Sequence, residues 1–161
     1  MKMKIVCIGS ILFCLLSGVA YGGEEQDRSL QELQDYLHAN GLPAATQLIS
    51  NQMARSMPMQ IDSFTRLHKV NYSFPETIVV FVTVLLTKQQ IEGVSSLADI
   101  SENMTRDTIT RACSEPVIET MIGAGMKLVY RYQDAENRFL FAVSTENADC
   151  RTIASLDRPP L

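Results

Sequence analysis

Residues 77–87 read TIVVFVTVLLT, an uncharged run dominated by β-branched side chains. Such side chains are stiff about their first torsion and suit a pleated strand better than a helix. A strand that is apolar on both sides belongs inside a sheet, with neighbours at both edges and cover on both faces. The rest of the chain has to supply those neighbours and that cover.

The flanking sequence supplies strands. Upstream, RLHKVNYSF (66–74) sets Val70, Tyr72 and Phe74 at spacing two, with one face buried, before Pro75-Glu76 breaks it. His68 shares that parity and reads as a packed structural histidine at the edge of the buried face. Downstream, MKLVYRYQ (126–133) alternates Leu128, Tyr130 and Tyr132 with Lys127, Arg131 and Gln133. DAEN (134–137) then turns the chain, and Phe139, Phe141 and Val143 alternate on the return.

Helical patterns fill the remainder. Ser29 and Glu32 form a capping box ahead of Leu30, Leu33 and Leu37, and Asn40-Gly41 supplies a left-handed stop. Pro43 opens a second helix through Leu48, Ile49 and Met53, which Pro58 closes. A polar stretch covers 88–96. A long helix follows from Ser96 to about Ala112, with Leu97, Ile100 and Met104 on one face. Ser114-Glu115-Pro116 restarts it as a short helix burying Val117, Ile118, Met121 and Ile122, stopped by Gly123 and Gly125. The order ααββαββ predicts an α+β fold, an antiparallel sheet of about four strands with helices packed on it.

The N-terminus reads as a signal peptide. Lys2 and Lys4 precede an apolar run from Ile5 to Ala20, shorter than the roughly 20 residues of a spanning helix, and Ala20-Tyr21-Gly22 is a fitting cleavage site. Cys14 follows Phe13 with apolar residues beyond it, and Cys7 lies too early, so neither reads as a lipidation cysteine. The expected organisation is a signal peptide at 1–22, one domain at 23–150 and a polar tail at 151–161. Cleavage places the mature chain in the periplasm, with no stable membrane span. It also removes two lysines and no acid, leaving 12 basic against 18 acidic residues and moving the net charge from −4 to −6. That balance speaks against nucleic acid or an anionic membrane as the partner.

Of four cysteines, Cys113 and Cys150 remain in the mature chain. In an oxidising compartment their simplest state is a disulfide. A Cys–His pair with His38 or His68 is formally available, but an exported thiol oxidises. No CxxC, HxxxH or HExxH spacing offers a metal site. No nucleophile elbow, phosphate loop or dinucleotide fingerprint is present either, so no catalytic residue and no cofactor is nominated. If Tyr72, Tyr130 and Phe139 mark the core face, the opposite face collects Lys69, Lys127, Arg131 and Arg138. A solvated sheet face carries such residues by default. Yet the strand at 77–87 must also put Phe81 and Leu85, or Val82 and Leu86, on that face. Either the N-terminal helical hairpin covers them or a partner does. Lys69, Phe81, Lys127, Arg131 and Arg138 are therefore the candidate dock for an acidic amphipathic segment.

Residues 113–150, CSEPVIETMIGAGMKLVYRYQDAENRFLFAVSTENADC, have a distinctive build: a cysteine opens a short helix, glycine ends it, a tyrosine-bearing hairpin follows and a second cysteine closes the unit. This resembles the α/β class of type II secretion pilotins and similar small periplasmic proteins, over roughly residues 59–150. The resemblance implies a compact sheet with helices, a Cys113–Cys150 bridge and binding of an outer-membrane secretin subunit. Those pilotins are lipoproteins, and here the lipidation cysteine is missing. The expectation is a non-catalytic accessory factor of a secretion or pilus system, binding another envelope protein. The alternative is a periplasmic immunity or inhibitor protein that holds a hydrolase or toxin.

Overall fold

A computed structural model of the chain describes residues 23–156. The expected signal peptide at 1–22, with Cys7 and Cys14, and the last part of the expected tail, 157–161, lie outside the described residues.

Helices α1 (Gly23–Asn40) and α2 (Leu42–Arg55) form the N-terminal hairpin. They turn at Gly41, whose φ of +80° is open to glycine at little cost. Its N–H donates to the Leu37 carbonyl at 2.9 Å, closing α1, and Pro43 sits in the first turn of α2 as expected. The capping box at Ser29 and Glu32 does not form. Helix α1 begins at Gly23, so Ser29 is buried within it; the acidic sequence ahead of Ser29 suits the positive end of a helix dipole.

Strands β1 (Met59–Gln60), β2 (Thr65–Ser73) and β3 (Thr77–Val84) follow. The stretch expected to be polar loop contains helix α3 (Lys88–Glu92), where Thr87 and Gln90 form the reciprocal capping box. Helix α4 (Leu97–Ser114) starts near Ser96 as expected, and the Ser96 side chain caps it by accepting the Asp99 N–H. Helix α5 (Pro116–Gly123) is capped by Glu115, not by Ser114: both Glu115 carboxylate oxygens accept backbone N–H groups, from Val117 at 3.3 Å and Ile118 at 2.8 Å. Ser114 is still helical and returns its hydroxyl to the Thr110 carbonyl. Strands β4 (Lys127–Gln133) and β5 (Phe139–Thr145) make the C-terminal hairpin. Helix α6 (Asn147–Leu156) carries regular structure past Cys150, beyond the boundary expected for the tail.

The fold is α+β, with one sheet of order β1-β2-β3-β4-β5. It has five strands, one more than expected, and it is mixed: β3 and β4 run parallel, while the other neighbours are antiparallel. The crossover through α3, α4 and α5 returns the chain to the end where β3 began, which forces the parallel pairing. The uncharged strand β3 takes the middle place that its composition predicts.

The helices lie on one side. Ile78, Val80 and Val82 of β3 and Leu128 and Tyr132 of β4 face Ile49 and Met53 of α2, and Val117, Ile118, Met121 and Ile122 of α5, in a single buried core. Helix α2 packs over β2 and α4 over β5. Cys113 at the end of α4 and Cys150 in α6 are joined by a disulfide, with Cα atoms 5.2 Å apart.

Candidate functional site

Among the described residues no helix packs on the opposite face. Strand register lines up Lys69 of β2, Phe81 of β3, Arg131 of β4 and Ala142 of β5 in one row across it. The adjoining row is Asn71, Val79, Val129 and Ser144. Lys69, Arg131, Ala142 and Ser144 are exposed; Val79, Phe81 and Val129 are half-buried and lie outside the buried core. Of the two covers considered for this face, the helical hairpin is excluded, since it packs on the other side. Leu86 joins the periphery of the core.

At the centre of the row, the Arg131 guanidinium stands over two rings, 5.9 Å from the centroid of Phe81 and 5.2 Å from that of Phe139. Each such contact contributes roughly 0.5–1 kcal/mol at an exposed site. Phe139 was expected on the core face, yet it is 56 % exposed on this one. A bulge explains the difference. Tyr132 pairs with Phe141 and Gln133 with Phe139, so Leu140 is an extra residue, and the parity of β5 changes there. Leu140 turns inward and Phe139 outward. A second irregularity, between Leu67 and Lys69, takes His68 out of the ladder and leaves it exposed instead of at the buried edge. Phe74, expected to continue the buried alternation, lies beyond the end of β2 and is 80 % exposed.

The candidate residues are thus only partly brought together. Lys69, Phe81 and Arg131 share a row, and Phe139 joins them. Lys127 lies on the same face nearer the other end of β4, where it forms an ion pair with Glu146. Arg138 is not part of the group. It lies in the β4–β5 turn, its guanidinium 2.7 Å from Asp134 and 2.8 Å from Glu136. Asp134 is fully buried and also accepts the N–H groups of Arg138, Glu136 and Lys88, which ties the turn to the start of α3. Burial pushes its carboxyl up, but the Arg138 and Lys88 contacts, with the Glu136 N–H, outweigh this and hold it at about 2. Asn137, with φ of +62°, completes the turn.

The covered face contains a cleft that the sequence did not announce. About 760 Å³ of space lies between α2, the β1–β2 loop, α4 and α5. Met53, Ile61, Leu67, Val82 and Met104 make its apolar walls, and Tyr130 and Tyr132 stand at its floor. It is what remains when helices seated over β2 and β5 do not meet above the central strands. Some of its polar groups serve the fold: Tyr132 shares a 2.7 Å hydrogen bond with Thr108, and Glu115 caps α5. Burial moves the ionisation of Tyr130, Tyr132 and Glu115 to higher pH, in the last case against the hydrogen bonds from Ile118 and Val117. No histidine lines the cleft, and no group of three or more His, Cys, Asp or Glu that could hold a metal occurs among the described residues. No described helix is long and apolar enough to cross a membrane.

No protein-family model matches the chain, and no curated protein sequence does. Solved structures of the same fold do. The type II secretion pilotin EpsS of Vibrio vulnificus is similar at a TM-score of 0.57 and 8 % identity, over 74 % of this chain and 94 % of that one. The type II secretion pilotin AspS of Vibrio cholerae is similar at 0.51 and 8 % identity, over 76 % of this chain and 99 % of that one. A Pseudomonas aeruginosa protein described as secreted is similar at 0.55 and 14 % identity, over 68 % and 93 %. At these identities the likeness is one of fold. The resemblance drawn from residues 113–150 is met in the fold.

Proposed function

We propose that this chain is a non-catalytic binding protein of the periplasm, an accessory factor for an envelope assembly such as a secretion or pilus system. The observation that carries this reading is the uncovered sheet face, where Arg131 stands between Phe81 and Phe139 with Lys69 in the same row. Among the described ion pairs Lys127 and Arg138 have carboxylate partners and Arg131 has none. An aromatic–arginine centre with an apolar surround is the composition of a binding hot spot. Its charge suits an acidic segment of another envelope protein, such as a secretin or pilus component. The pilotin-like fold of the solved structures supports an accessory role.

The test is a crosslinked pull-down from an envelope fraction, with the chain from Gly23 as bait and Arg131→Glu as control. The expected result is a secretin or pilus component that the native chain recovers and the variant loses. Equal recovery by both chains would remove the sheet face from the account. Recovery of one hydrolase, inactivated in the complex, would replace the accessory role with that of an inhibitor.

A further inference from the structure

The sheet has two edges, and they are built differently. At the β2 edge, β1 pairs with Arg66 and Leu67, an irregularity follows at once, and Lys69 is exposed next to it. Short edge strands, bulges and lysines are the devices that stop a further strand from adding. The β5 edge has its bulge at Leu140 and none beyond. From Phe141 to Thr145 the ladder with β4 is regular, and the sequence Phe-Ala-Val-Ser-Thr holds neither charge nor proline. Among the described residues nothing pairs with its outer side.

Side chains around this edge are equally uneven. On the open face β5 shows only Ala142 and Ser144 beyond the bulge, both small and exposed. Behind Ala142, directly in register, stands Arg131, its guanidinium inclined toward Phe139 of β5. A strand laid along β5 would place one side chain over Ala142, two strand spacings or about 10 Å from the Arg131 backbone. A glutamate and an arginine bridge that distance between them. On the other face the neighbours would be half-buried Phe141 and buried Val143, which favour apolar side chains.

We propose that the free edge of β5 takes up an extended segment of the partner as a sixth strand, one alternating acidic with apolar side chains, its acid meeting Arg131. This rests on the open face being the partner surface and adds how the partner binds. The main chain supplies affinity and the alternation supplies selectivity.

The test uses the whole chain from Gly23 and two short blocked peptides, one alternating valine with glutamate and one alternating valine with lysine. Amide hydrogen exchange is followed residue by residue. The glutamate peptide should slow exchange within Phe141–Thr145 by about tenfold or more and leave Lys69–Ser73 unchanged. Arg131→Glu, with its fold checked by circular dichroism, should transfer the effect to the lysine peptide. Arg131→Gln, which keeps a planar side chain without the charge, should abolish the preference between the two. Several results would overturn the proposal: no slowing in β5, equal slowing by both peptides, or slowing at β2 instead. Protection of β5 that grows with protein concentration and needs no peptide would assign the edge to a second copy and also overturn it. The two readings fail separately. If Arg131→Glu loses the envelope partner while β5 ignores both peptides, strand addition falls and the binding face stands.

Discussion

The same strands give this sheet two faces that differ in almost every physical respect. On one, Ile78, Val80, Val82 and Leu128 are buried beneath helices and contribute the stability of the fold. On the other, Val79, Phe81 and Val129 are only half-buried, among exposed Lys69, Arg131, Ala142 and Ser144. Strand β3 is apolar toward both. Covering one side is enough to fold the domain, so the apolar character of the second side asks for another explanation, and a partner supplies it. The contrast also bears on charge. A chain of net charge −4 keeps Arg131, which has no carboxylate partner among the described ion pairs, on the open side, while the buried side is closed by helices, a cap and a disulfide.

Predictions can break or sharpen this contrast, and the largest effects belong to the covered side. Replacing Cys113 and Cys150 by serine frees a loop of 37 residues and should destabilise the chain by about 4 kcal/mol in the chain-entropy account. Urea unfolding of the variant against the oxidised parent measures it, and equal midpoints would show that the bridge holds nothing. Next, Ile122→Ala removes a fully buried side chain of α5 and should cost about 3 kcal/mol in the same assay. Phe81→Ala, on the open face, should cost under about 1 kcal/mol and weaken partner binding at least as much as stability. If Phe81→Ala proves as damaging to folding as Ile122→Ala, the two faces are not different in kind.

A smaller effect concerns the turn between β4 and β5. The Asp134 carboxyl sits below its ordinary value, so its contribution is complete above that value, near pH 4, and is lost as the pH falls toward about 2. Thermal unfolding should therefore show a falling Tm over that interval. Asp134→Asn should lower Tm at neutral pH and flatten this acid limb. An unchanged acid limb would mean that other carboxylates set it. Because Arg138 is held by Asp134 and Glu136, Arg138→Ala should loosen the turn and leave partner capture intact, unlike Arg131→Glu.

Local chemistry was legible in the sequence where a single residue settles the conformation. Gly41 with its positive φ, Pro43 and Pro116 in first turns, the helix start near Ser96 and the Cys113–Cys150 bridge all stand where the pattern put them. The middle strand was legible because its composition admits one environment. What failed was parity. The bulges at His68 and Leu140 each insert one residue, and one residue exchanges the faces of everything beyond it, so Phe139 was assigned to the core and Arg138 to the opposite face. The Ser29 cap failed because capping residues also occur inside helices that start earlier. The parallel pairing of β3 and β4 follows from where a crossover lands. The cleft depends on how far apart α2 and α4 come to rest, and no local pattern records that.

The most direct measurement compares the two faces in one experiment. A photo-crosslinking side chain is placed at Phe81, in the open row, or at Met104, on the wall of the cleft, and each chain is irradiated with its envelope partner bound. The account predicts covalent capture from position 81 and none from position 104. Capture from position 104 alone would move the partner into the cleft, and the open face would then be a solvated surface.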